Sequence, residues 1–456
     1  MAATLPRVWK QLCVLVGICF LFYVSFLFSR THLVNNLVFK YSQPPEPHSH
    51  RPSNKIFNSL HLDEATCEAT FPNLAKDIGD MVALGPFTLK QARNLGPLQV
   101  RIQDDQLYIV HKEDDDVLSR GTMQARMSAL HQIHRAVLTS PDPLPNTILS
   151  VNIQDGPSDF TLSYSRPAYD PRSPGTPFVS RAFLMPHFSF WAWPLPFVGS
   201  FIRAEAAINS LEATLPFSKK DPRVVWRGTK RYKSAHNPHL RVDLLRVTDG
   251  VEWADVQTLE WDAVNNGTGT TKKVATNSLM IEEFCKYKYV LYTDGVTYSG
   301  RLQFHQMCGS VLLTPPIAWM QHTTHLVKPL FSSDLDFGDA NRTSLNGTEK
   351  RWVPSEGEQE AWPTHYKPDE ANIVFVAPDW SDLEDTVRWL ESRPDEAEGI
   401  ARRQRELFVD GGYFSRAAEA CYWRALIRGW STVCQTDGEG WEDQLGTRWE
   451  LFSIGL

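Results

Sequence analysis

Four short apolar runs, each cut off by a polar or Gly/Pro turn, set the tightest limit on what this chain folds into. RVVW (223–226) stops at Arg227-Gly228, and YVLYT (289–293) stops at Asp294-Gly295. SVLL (310–313) stops at Thr314-Pro315-Pro316, and NIVFVA (372–377) stops at Pro378-Asp379. Continuous apolar runs of this length are strands covered on both faces, the pattern of parallel sheets flanked by helices. The first half follows the same logic. Met123, Met127, Leu130, Ile133 and Val137 recur at helical spacing from about residue 119, and the run TILSVNI (147–153) follows, ending at Gln154-Asp155-Gly156-Pro157. Ser381, with Glu384 three residues on, reads as a capping box that opens another helix. Runs and helices in alternation predict an α/β protein with mainly parallel sheets. At 456 residues the chain has room for two domains, and PFSKKDP (216–222) is the candidate boundary.

The N-terminus is of another kind. Nineteen uncharged residues lie between Lys10 and Arg30, roughly 28 Å of helix, one hydrocarbon thickness. The length of the run, with no small-x-small cleavage site after it, favours a signal anchor over a cleaved peptide. This divides the start into a cytoplasmic tail (1–10), a transmembrane anchor (11–29) and a Pro/Ser/His-rich flexible stem (30–60). Sequons at Asn266, Asn341 and Asn346 place the bulk of the chain in a lumen. Of the seven cysteines, five lie beyond the anchor and none forms a CxxC pair, which removes zinc-ribbon and thioredoxin readings. Cys285 and Cys308 flank a strand–turn–helix segment and are the best candidates for a bridge, although spacing alone does not fix the pairing. The net charge of −7 conceals a surplus of five positive charges in residues 1–60 and an acidic remainder. Without a basic run, that body excludes nucleic acid as a partner.

Chemistry in open α/β sheets gathers at the carboxyl ends of strands. Arg227-Gly228 pairs an anion-binding fork with a residue that lets backbone approach a ligand. Ser299 and Arg301 follow the Asp294-Gly295 turn and offer further donors to the same anion. Asp155 is the isolated carboxylate at a strand end in the first half, suited to act as a general base on a hydroxyl. Trp191 and Trp193 offer flat faces for a sugar, or belong to the core. The triples Asp114-Asp115-Asp116 and Asp334-Leu335-Asp336 satisfy a metal-holding D-x-D pattern, but neither ends an apolar strand, so both are read as solvated.

WRGTKRYKSAHNPHLR (226–241), CKYKYVLYTDGVTYSGRLQF (285–304) and CGSVLL (308–313) resemble the glycosyltransferase family 90 pattern, and VNIQDGP (151–157) resembles the strand that ends in that family's catalytic aspartate. The family includes fungal capsule-associated xylosyltransferases and animal protein O-glucosyltransferases related to Rumi. The resemblance implies a GT-B architecture of two facing Rossmann-like domains, an acceptor-side domain (61–218) and a UDP-sugar domain (219–434), with a C-terminal tail (435–456). It implies transfer of a sugar, xylose or glucose, from a UDP-sugar to a hydroxyl of a polysaccharide, glycolipid or protein, with inversion and with neither metal nor other cofactor. Asp155 would be the base, and Arg227, Gly228, Ser299 and Arg301 would hold the donor together with Asp294, Gly295 and Arg241. Cys285 and Cys308 occupy positions bridged in the family. The anchor and the final Ser-Ile-Gly-Leu fit a single-pass type II enzyme of the Golgi, or of the endoplasmic reticulum, better than a soluble one. A non-catalytic lumenal glycan-binding or scaffold protein with the same fold is the alternative. A metal-dependent transferase using Asp334 and Asp336 is a third reading.

Overall fold

The computed structural model describes residues 55–93, 96–170, 180–265, 271–338, 352–436, 440–441 and 444–455. The tail, the anchor run 11–29, the stem up to residue 54 and the sequon asparagines 266, 341 and 346 lie outside the described residues. Among the described residues, no helix is long and apolar enough to cross a membrane.

Two six-stranded sheets organise the described chain. The first is built on β1 (Leu98–Gln103), β2 (Gln106–His111), β3 (Thr147–Val151), β4 (Leu162–Ser163) and β5 (Phe183–Leu184). The second comprises β6 (Asp221–Gly228), β7 (Ala254–Thr258), β8 (Tyr287–Leu291), β9 (Val311–Thr314), β10 (Pro329–Phe331) and β11 (Ile373–Phe375). A late strand, β12 (Thr447–Arg448), returns to the edge of the first sheet, giving the order β12-β2-β1-β3-β4-β5. The second sheet runs β7-β6-β8-β9-β11-β10, and every pairing in it is parallel. All four apolar runs of the second half are strands of this sheet. Its two faces feed separate cores, as the strand period of two requires: Val225, Val290 and Leu312 point one way, Val224, Trp226, Tyr289 and Leu313 the other.

The first sheet departs from the parallel expectation. β1 pairs antiparallel with both β2 and β3, and only β3, β4 and β5 are mutually parallel. Asp104 and Asp105, at φ 51° and 58°, form the two-residue turn between β1 and β2. A connection that short joins only antiparallel strands, and aspartate tolerates the left-handed backbone it needs.

Seven helices cover these sheets or border the site: α1 (Arg120–Leu138), α2 (Phe201–Glu212), α3 (Leu240–Val247), α4 (Leu302–Gln306), α5 (Leu383–Glu391), α6 (Pro394–Arg405) and α7 (Arg416–Val433). α1 begins where the spacing placed it, with Ser119 accepting from the Thr122 amide at 3.1 Å. α5 begins later than expected. Its N-cap is Asp382, the Ser381 amide instead meets Asp379 Oδ1 at 3.0 Å, and Glu384 pairs with Arg388. A capping box occurs instead at the helix Glu356–Ala361, between its N-cap Ser355 and Glu358.

The cores do not divide at residue 219. Phe190, Phe201 and Ile208 pack into the second sheet's core, whereas α7 packs into the first sheet's. Trp423 and Trp430 of α7 are fully buried, and their indole N–H groups donate to Gln132 Oε1 at 3.0 Å and to the Ile148 carbonyl at 2.8 Å. The segment expected to be a C-terminal tail likewise contributes β12 to the first sheet and the buried Trp441 and Trp449 to its core. At the other end, residues 55–60 are part of this body and not of a flexible stem. Phe57 lies 5.9 Å from Phe71, and Asn58 Oδ1 accepts from Arg416 at 2.9 Å. A disulfide, Cys67–Cys421, joins this region to α7 across 354 residues. A second links Cys285 to Cys308, the pairing expected, and Cys434 is free.

Candidate active site

The strand order of the second sheet fixes where a ligand belongs. The chain moves outward from β6 to β7, then returns to the other flank of β6 as β8. Strand order therefore reverses between β6 and β8, and the crevice in a doubly wound sheet lies at the carboxyl ends of such a pair. Those ends carry Arg227-Gly228 and the segment Asp294–Arg301. Gly228 is sterically obligatory, since a Cβ there would sit 2.3 Å from Trp226 Cζ2. Gly300 is obligatory too, since a Cβ would meet His187 Cε1 at 2.4 Å.

The three arginines at this edge differ in their commitments. Arg227 is buried and turned between β6 and β7. It donates to Asp255 Oδ1 (2.8 Å), to the Asp255 and Trp226 carbonyls (2.8 and 3.0 Å) and to the Asn277 carbonyl (3.2 Å). Its side chain is thus held by protein, which departs from its expected role as a donor to a bound anion. Arg241, on α3, is buried, and its Nε donates to the Asp294 carbonyl (3.0 Å) and its Nη1 to the Thr229 carbonyl (2.8 Å). Arg301 is partly buried and donates to the Arg227 carbonyl. Among the described residues neither Arg241 nor Arg301 pairs with a carboxylate. Burial, then the charge of Arg241, holds the Arg301 guanidinium down at about 10. Beside Arg241 lies Asp294, buried, with Oδ1 unpartnered among the described residues. Burial pushes its carboxyl up to about 7, against the opposing pull of Arg241. Ser299 lies in the same turn, and its amide donates to the Tyr292 hydroxyl at 2.9 Å. The Gly295 amide closes the turn onto the Tyr298 carbonyl at 3.0 Å.

Asp155 reaches this turn from the first sheet. Asn152 shapes the bend that presents it, accepting from the Gln154 amide (3.0 Å) and donating to the Gly156 carbonyl (2.6 Å). The Asp155 carbonyl in turn accepts from Thr297 Oγ1 at 2.8 Å, which fastens the two loops together. The Asp155 side chain is open to solvent on one side, yet the protein around it raises its carboxyl above the ordinary range by withdrawing hydration. Beside it stand Tyr164 and Tyr298, 6.3 Å apart between ring centroids, whose phenols are raised first by burial and then by the Asp155 charge.

Sequence reasoning missed His187. It is buried and held down at about 3 by burial, and its Nδ1 lies 2.7 Å from Ser189 Oγ. Its ring packs on Tyr164, Tyr298 and Gly300. No local pattern marks it, because Tyr164, Tyr298 and Gly300 are all distant from it in the chain. Trp193 sits 5.7 Å from His187, one side chain removed from the turn. Trp191 points elsewhere, stacked 4.7 Å from His131 and with the Arg135 guanidinium 5.0 Å from its ring centroid. The acidic triples are engaged with protein: Asp115 with Arg126 (2.6 Å) and Lys112 (3.2 Å), Asp334 with His365 Nδ1 (2.7 Å), and Asp336 Oδ1 with the Gly338 amide (3.0 Å).

Residues 63–332, more than half of the chain, match the family model described as glycosyl transferase family 90. Protein O-glucosyltransferase 1 of Rattus norvegicus is 21% identical over 295 residues, covering 63% of this chain and 63% of that protein. The protein of the same name from Mus musculus is 20% identical over 327 residues, covering 70% and 69%. The one from Homo sapiens is 20% identical over 297 residues, covering 63% of each. The chain thus spans a little under two thirds of the length of the rat and human relatives. The matched region contains Asp155, both loops of the crevice and the Cys285–Cys308 bridge, and by that match the chain belongs to glycosyl transferase family 90.

Proposed function

We propose that the chain is an inverting glycosyltransferase of the secretory pathway that moves a sugar, xylose or glucose, from a UDP-sugar to a hydroxyl of a glycan or glycoprotein. The observation that carries this reading is the pair Arg241 and Arg301, without a carboxylate partner among the described residues, at the switch point where the Asp155 loop is fastened. Two guanidinium groups that repel each other in a desolvated crevice are matched by a dianionic diphosphate. In this reading the two sheets are the halves of a GT-B fold, with the donor at the second and the acceptor at the first. Ser299 and the Gly228 backbone complete the diphosphate site, and Arg227 braces it through Asp255. Residues 11–29 anchor the enzyme as a type II protein of the Golgi or endoplasmic reticulum, and neither metal nor other cofactor takes part.

The acceptor oxygen forms a bond to the anomeric carbon as the bond from that carbon to the UDP oxygen breaks. The hydroxyl proton passes to Asp155, and the charge arriving on the diphosphate is held by Arg241 and Arg301. A general base contributes about 10²–10⁴-fold, and preorganised positive charge a comparable factor. The base works ionised, so the raised Asp155 carboxyl makes transfer fall on the acid side of its titration. The test is UDP release and sugar transfer by the full chain across a panel of UDP-sugars, with and without EDTA, alongside calorimetry with UDP. Asp155→Asn is expected to lower transfer by at least about 10²-fold with UDP affinity unchanged. Full turnover in that variant removes Asp155 from the mechanism, EDTA sensitivity removes the metal-free reading, and UDP-independent glycan binding without transfer favours the glycan-binding alternative.

A further inference from the structure

We infer that the open cavity at the far edge of the second sheet is a subsite for an uncharged saccharide, which holds the acceptor glycan away from the reacting hydroxyl. It has a volume of about 510 Å³ and forms where β10 ends, between Asp334, Trp352, Gln359, Trp362 and His365.

The lining is partly aromatic, through Trp352, Trp362 and His365. Phe331, the last residue of β10, is fully buried behind them and stacks with His365 (4.1 Å, 13° between planes) and with Trp352 (6.1 Å, 23°). Trp362 is fixed by its indole N–H, which donates to the Ile317 carbonyl at 3.0 Å. Polar groups border these rings. His365 Nδ1 meets Asp334 Oδ2 at 2.7 Å, and Asp334 Oδ1 accepts from Ser333 Oγ at 3.5 Å. Gln359 gives its amide N–H to the Pro354 carbonyl at 2.8 Å and keeps its own oxygen as an acceptor. Flat rings with planar donors and acceptors at their margin match a pyranose, which offers C–H faces and equatorial hydroxyls. Pockets of this size enclose small ligands of that scale.

Two features tie the cavity to the crevice. β10 lies three strands from β8, about 14 Å at the usual strand spacing, with its carboxyl end on the same edge of the sheet. The helix Glu356–Ala361, which carries Gln359, lies flush on Tyr169, since a Cβ at Gly357 would come 2.5 Å from that ring. Tyr169 in turn packs edge-on against His236, 5.2 Å between ring centroids, and the neighbouring Ala235 amide donates to the Val296 carbonyl of the donor turn at 2.9 Å.

The acceptor role of the bound saccharide rests on the transferase reading, but binding is measured apart from it. The full chain in detergent is tested on immobilised neutral xylo-, gluco- and manno-oligosaccharides and on uronate-bearing counterparts. Trp352→Ala and Gln359→Ala are each expected to weaken retention of the neutral set by roughly 2- to 12-fold, with UDP-sugar hydrolysis unchanged. Gln359 is exposed, so its variant folds even where the tryptophan variant does not. Arg301→Ala is expected to retain the same saccharides. Retention lost in Arg301→Ala, retention untouched in both cavity variants, retention of uronates alone, or no retention at all each overturns the inference. A chain that retains saccharides here and transfers nothing refutes the transferase reading and not this one; transfer without retention does the reverse.

Discussion

Arg227→Ala and Arg301→Met are expected to separate folding from binding, although the two residues stand at adjoining strand ends. Removing Arg227 strands Asp255, whose side chain is 10% exposed, and a broken buried pair destabilises by about 3–5 kcal/mol. Chemical denaturation checks this, and adding Asp255→Ala is expected to recover part of the loss. Arg301→Met removes a partly buried cation that repels Arg241, so apo stability is expected to hold or rise while UDP affinity falls about 10- to 150-fold. A titration of UDP beside a melting curve reads both. Asp294 contributes a pH dependence to stability. Its carboxyl titrates at about 7 in the fold against 3.8 for the free group, so the folded state binds the proton more tightly. That contribution is complete below about pH 4 and is lost as the pH rises through 7. Asp294→Asn is therefore expected to flatten the decline in melting temperature across that window relative to wild type. The location of Arg227, Asp294 and Arg301 at or just beyond strand ends was legible in the sequence. The commitment of Arg227 was not, because Asp255 reaches it only through the parallel register of β6 on β7.

Among elements, the turn Asp294–Arg301 carries most of the proposed donor site, and the Cys285–Cys308 bridge closes the chain around it. The loop so formed contains β8, the turn and α4. Closing a loop of that length is worth roughly 3 kcal/mol in the chain-entropy account. The double variant Cys285→Ala/Cys308→Ala is expected to lose about that much stability and to exchange amide hydrogens faster over residues 292–301, as read by mass spectrometry. Parallel strands were legible because burial on both faces writes itself as an unbroken apolar run. The β1–β2 hairpin was obscured because Asp104-Asp105 reads as surface charge as readily as a turn. The start of α5 at Asp382 was not legible, because its carboxylate does not cap the helix but accepts from the Ala377 amide at 2.9 Å and from Ser332 Oγ at 2.5 Å, both outside the Ser381–Glu384 pattern.

Over the whole molecule the chain doubles back. A core begun by residues 62–74 is completed by α7, and Arg424 bonds the carbonyls of Ala136 (3.1 Å) and Leu62 (3.1 Å). The return was not legible, since an amphipathic helix carries no address for the sheet it covers. The bond Cys67–Cys421 makes the same excursion permanent. In covalent terms the protein is a ring of some 355 residues with two short ends, not a string. A single proteolytic cut between residues 68 and 420 opens that ring without releasing a piece. Nicked protein is therefore expected to migrate as one band near full length on a non-reducing gel, and to part into two only when thiol is added.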